Sequence, residues 1–133
     1  MSYVERVNPP SLAQPSGFTH AVVATGTTVH LAGQTALDAS GRIVGDGIVE
    51  QFEQALSNLL TALEAAGGSP GQLVSLTVYI VEMDDYRAHA REIAGVWKRL
   101  VGSEYPAMAG IGVVRLWDAD ALVEVQGMAV LPV

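Results

Sequence analysis

Residues 105–130 read YPAMAGIGVVRLWDADALVEVQGMAV, and a lone carboxylate, Glu124, interrupts the nearly uncharged, β-branched run that closes the stretch. A strand points successive side chains to opposite faces, so Val123, Val125 and Ala129 share an apolar face while Leu122, Glu124, Gln126 and Met128 share a mixed one. A carboxylate buried without a partner is strongly destabilising, so Glu124 must reach water, meet a cation, or work as an acid or base. A wet sheet edge or a subunit boundary is the bland alternative to catalysis.

Working outward, the stretch predicts two strands, Ala109 to Leu116 and Ala121 to Leu131, joined through Trp117-Asp118-Ala119-Asp120. Upstream, Leu73 to Val81 (LVSLTVYIV) is β-branched on both faces, as a covered central strand would be. Ile48, Phe52, Ala55, Leu56, Leu59, Leu63 and Ala66 recur at helical spacing, and Gly67-Gly68 supplies a stop. A second helix is expected from a cap at Asp84 or Asp85 to Gly102, with Tyr86, Ala90, Ile93, Ala94, Trp97 and Leu100 as its buried stripe. His20 to Ala24 and Thr28 to Ala32, around Thr25-Gly26-Thr27, read as a hairpin. The order β-β-α-β-α-β-β predicts an α+β fold, one domain over residues 1–133, with a mixed sheet and both helices on one face.

Half the residues are hydrophobic, and the mean hydropathy of +0.32 is high for a soluble monomer. The uncovered sheet face is therefore expected to be buried by copies of the same chain. The net charge of −7, with Lys98 the sole lysine beside six arginines, repels phosphate backbones, so no nucleic-acid partner is expected. No apolar run reaches the roughly 20 residues a membrane span needs, and MSYVERVNPP is charged where a signal peptide is apolar. A cytoplasmic protein without membrane partners is the expectation.

Cysteine is absent, which removes thiolate nucleophiles and thiolate-held metals. His20, His30 and His89 lack metal-ligand spacing, so no metal is expected, although His20 and His30 lie on adjacent predicted strands. Gly45-Asp46-Gly47 reads as a turn and cap, not a phosphate loop, and Ser69 as a cap, not a hydrolase nucleophile. Asp84 with Asp85 and Asp118 with Asp120 are explained by caps and turns, which leaves Glu124 as the best catalytic candidate.

The segments GFTHAV (17–22), VHLAGQ (29–34), QFEQALSNLLTALEAAG (51–67), LTVYIVEMDDY (76–86), YPA (105–107) and LVEVQGMAV (122–130) resemble, in order and spacing, the reactive intermediate deaminase (Rid, YjgF-type) family. The resemblance covers nearly the whole chain. It implies a chorismate-mutase-like fold, a homotrimer with sheets packed inward, and small-molecule clefts between subunits. It also implies hydrolysis of enamines and imines to keto acids and ammonia, with no cofactor. In that pattern an arginine after the Pro-Ala pair clamps the substrate carboxylate and a glutamate on the last strand places water.

By this resemblance Glu124 matches the glutamate, while Gly33, Gln34, Pro106 and Ala107 match the frame of the cleft. Met108 stands in place of the arginine, Phe18 of a tyrosine, Ala32 of a serine, Ala90 of an asparagine and Gly110 of a cysteine. The remaining cleft, lined by Phe18, Ala32 and Met108 with Glu124 as its one acid and joined by His20, suits a ligand less polar than a simple 2-imino acid. The implied function is a deaminase-type hydrolase of another enamine or imine. A non-catalytic binding or sensing trimer is the alternative, and the acidic charge disfavours a ribonuclease.

Overall fold

The computed structural model describes residues 3–133. Met1 and Ser2, part of the N-terminal stretch read above for a signal peptide, lie outside the described residues. Among the described residues six strands and three α-helices follow in the order β1 Val4–Val7, β2 Ala21–Ala24, β3 Thr27–Gln34, α1 Ile48–Ala65, β4 Leu73–Ile80, α2 Met83–Ala88, α3 Ala90–Leu100, β5 Ala107–Gly112 and β6 Val123–Leu131, with one 3₁₀ turn at Pro70–Gln72 ahead of β4. The main sheet has the order β3-β6-β4-β5, with β4 and β5 parallel and the other pairs antiparallel. The α+β arrangement with helices over a mixed sheet is as expected.

The last strand alternates as its sequence demands. Val123, Val125 and Ala129 are buried among Phe52, Leu56, Leu59 and Leu63 of α1, while Gln126 and Met128 are exposed and Glu124 half-buried on the outer face. Gly127 is needed at the centre of β6, because an added β-carbon would strike the Ser75 carbonyl and lie 2.9 Å from Leu76 Cδ1.

Helix α1 buries the predicted stripe through Leu63, and its end is a Schellman motif. The Gly68 amide donates to the Leu63 carbonyl and the Gly67 amide to that of Glu64, with Gly67 at φ +94°. Two polar residues of α1 tie down the loops that flank β3 and β6. Gln51 donates to the Gly45 and Asp120 carbonyls and accepts from the Leu122 amide, while Asn58 donates to the Thr35 and Leu37 carbonyls.

Four local expectations are corrected. The 25–27 turn closes no hairpin: β2 pairs with β1, and β3 with β6. The short β1 carries Glu5 and Arg6, so its sequence hides a strand, and Gly26 passes so close to β6 that a β-carbon there would land on the Leu131 carbonyl. The second helix breaks at His89 and is capped by the Glu82 backbone, not by an aspartate side chain. At the break, the His89 ring donates to the Asp85 carbonyl, and this bond, aided by the charges of Asp85, Glu92 and Glu50, outweighs desolvation and raises its pKa. Ala90 and Ala94, expected in the buried stripe, are exposed. Finally, β5 stops at Gly112 because β4 offers no partner beyond Ile80, and the following loop leaves Val114 and Trp117 in solvent.

Candidate functional site

The residues singled out from sequence fall into two groups. In the first, Glu124 on β6 lies opposite Tyr79 on β4 and against Gly33 on β3. The approach is close enough that a β-carbon at position 33 would collide with the Glu124 carboxylate, so glycine there lets the carboxylate lie flat over β3. Ala32 is exposed beside it, and Gln34 pairs with Val125 after an irregularity in the β3–β6 register. Tyr79 donates to Gln126 at 3.3 Å on the same outer face.

The second group gathers at the far edge, on β5. Met108 and Gly110 lie opposite the buried Leu76 and Val78, so their side of β5 faces the helices. Met108, Gly110, Phe18, Gly17 and Tyr86 line one pocket of about 200 Å³. A second, of about 290 Å³, adds Ala90, Ile93, Ala94, Trp97 and Tyr105 to Met108, Gly17 and Tyr86. Neither lining contains a charged side chain.

The segment carrying Phe18 is stitched to the start of β5. The Thr19 amide donates to the Pro106 carbonyl at 3.0 Å, its hydroxyl to the Tyr105 carbonyl at 2.6 Å, and Thr19 pairs with Ala107. His20 sits edge-on to Phe18 at 4.9 Å, and because a carbonyl only accepts, its Nε2 carries the proton donated to Ala13. His20 thus braces the 8–16 loop, whereas His30 lies on the outer face with Ser75, Thr77, Gln126 and Met128, so the two histidines do not meet.

Tyr86, expected in the buried stripe of the second helix, and Tyr105, legible only at the head of the Tyr-Pro-Ala motif, both line the larger of these two pockets. Burial, reinforced by the nearby Tyr105 phenol, pushes the Tyr86 phenol up to about 12, so it remains an O–H donor at any physiological pH. Among the described residues no three His, Asp or Glu side chains cluster as a metal site would require, and no helix is long and apolar enough to cross a membrane.

Sequence and structure comparisons agree on the lineage. The family profile described as endoribonuclease L-PSP matches residues 10–131. The chain belongs to this family, also called Rid. A 2-iminobutanoate/2-iminopropanoate deaminase of Capra hircus is 35% identical over 77% of this chain and 72% of its own length. A RutC family protein of Pyrococcus horikoshii is 32% identical over 87% of this chain and 89% of its own. The crystal structure of a Rid-family protein of unknown function from Yersinia pestis superposes with a TM-score of 0.86 at 34% identity, covering 98% of this chain and 100% of that one. Within the Rid fold, then, this chain holds a glutamate on the outer face of the sheet and a chargeless aromatic pocket on the helix side of its edge.

Proposed function

We propose that this Rid protein is a homotrimer whose intersubunit clefts hydrolyse a neutral enamine or imine that lacks a carboxylate. The observation that carries the reading is the lining of the Met108 pockets, which offers phenyl, indole, thioether and phenol groups and no cation. A carboxylate entering such a pocket would lose its hydration without gaining a counter-ion. The relatives named as imine deaminases supply the reaction class: R₂C=NH plus water gives R₂C=O plus ammonia.

Glu124 takes one proton of a water as its hydroxyl adds to the C=N carbon and gives it to the nitrogen. It then carries the proton of the resulting carbinolamine hydroxyl to the same nitrogen as the C–N bond breaks, the C=O forms and ammonia leaves. Within one chain Glu124 and Met108 lie on different strands and face opposite sides of the sheet. A cleft that joins the outer face of one copy to the β5 edge of another brings the two halves together. The exposed Met128 and Ile111 on that outer face favour the same association. Light scattering on the purified protein should give a mass three times 13.9 kDa; a monomer would remove the cleft.

The catalytic test follows ammonia release from benzophenone imine, a neutral N–H ketimine. The wild type should exceed the uncatalysed rate, and Glu124→Gln should lose roughly a hundredfold of that acceleration while keeping its fold. Equal rates for the two proteins would exclude Glu124 as the proton carrier.

A further inference from the structure

We propose that Tyr86 and Tyr105 form the polar anchor of the pocket beside Met108, selecting a neutral, ring-sized ligand through one hydrogen-bond acceptor, a carbonyl oxygen or an imine nitrogen. This rests on the reading of that pocket as the ligand site.

The two phenols reach the same cavity from separate parts of the chain, Tyr86 from α2 and Tyr105 from the turn before β5. Neither hydroxyl has a hydrogen-bond partner among the described residues, and no buried side-chain polar atom is left unsatisfied, so each hydroxyl keeps some contact with solvent, while both residues line the cavity. The rings are held in place from behind. Tyr105 stacks on Trp97 at 5.1 Å with 9° between planes, and Trp97 is itself fixed by its Nε1 donating to the Glu104 carbonyl. Tyr86 meets Phe52 edge-on at 6.2 Å.

A carbonyl oxygen has two lone pairs and can accept from both phenols, an imine nitrogen has one and accepts from either, and preorganised donors bind at a lower ordering cost. Their neighbours are apolar or small: Ile93, Ala94, Ala90 and Met108. Phenols donate without carrying charge: they bond a carboxylate more strongly than a neutral acceptor, but two such bonds offset only part of the cost of desolvating the charge, whereas a neutral acceptor enters at little cost.

The test uses the full chain labelled with ¹³C at its four methionine methyl groups, titrated with cyclohexanone and with methylenecyclohexane, which differ only by O for CH₂. Cyclohexanone should shift the Met108 methyl signal, assigned through Met108→Leu, and should bind more tightly than the hydrocarbon. Tyr86→Phe should weaken cyclohexanone by about three- to tenfold and leave methylenecyclohexane unchanged, with Tyr105→Phe acting in the same direction. Failure of cyclohexanone to bind, equal affinity of the two probes in the wild type, or equal weakening of both by Tyr86→Phe would overturn the anchor. Ala90→Phe, at an exposed position on the cavity wall, separates occupancy of the pocket from the action of the phenols. If it blocks both probes while Tyr86→Phe changes nothing, the pocket stands and the phenols fall. If the shift appears at Met128 instead, or Ala90→Phe leaves both probes bound, the pocket itself is misread and the anchor falls with it.

Discussion

Met108→Arg should release ammonia from 2-aminoacrylate, formed in situ, at least about thirtyfold faster than the wild-type protein, because a guanidinium fork paired with a carboxylate in a desolvated cleft is worth roughly 2 to 5 kcal/mol. Position 108 lines both pockets and is half-buried, so an arginine stem can follow the path of the methionine and carry its head to the opening beside Gly17 and Gly110. The same charge should slow hydrolysis of benzophenone imine, since it brings an unpaired cation to an apolar ligand. The pair of rates, measured on one preparation, gives a change of preference that a general loss of folding cannot imitate. If the variant melts like wild type and gains nothing on 2-aminoacrylate, the side chain at 108 is not what sets the substrate class.

Trp97→Ala is expected to cost about 3 to 5 kcal/mol of stability, lowering the melting temperature by roughly 10 to 20 °C. Trp97 is 2% exposed, the largest of the fully buried side chains, and it packs with Ile93 and Val96 of α3 into the core beneath the sheet. Its removal loses three things together: apolar burial, the stack on Tyr105 and the hydrogen bond to Glu104. Trp97→Phe keeps most of the burial and should cost less. Urea denaturation of both variants checks the ranking, and a loss below about 1 kcal/mol for Trp97→Ala would show that the helix does not depend on this contact.

How far each element could be read in advance follows from how local its cause is. The stripe of α1 and the alternation of β6 repeat every few residues, so Phe52, Leu59, Val123 and Val125 could be placed facing inward from spacing alone. The strand β1 could not, because a four-residue edge bearing Glu5 and Arg6 has no periodicity to distinguish it from a loop. Its absence from the reading made β2 and β3 look like a hairpin, although each takes its partner from elsewhere in the chain. Tyr86 was visible only as one member of a helical stripe. A stripe says which face turns inward, not whether the space beneath it is filled.

The candidate site shows the same division. The order and spacing of the motifs were enough for the Rid fold and for singling out Glu124 and Met108, because these depend on residue type and position along the chain. Only the folded chain placed those two on opposite sides of one sheet, set Gly33 against the Glu124 carboxylate, and opened a shared cavity for Tyr86 and Tyr105. Strand order, register and cavities arise from contacts between residues far apart in sequence, and their free energy is decided by packing that no local pattern carries.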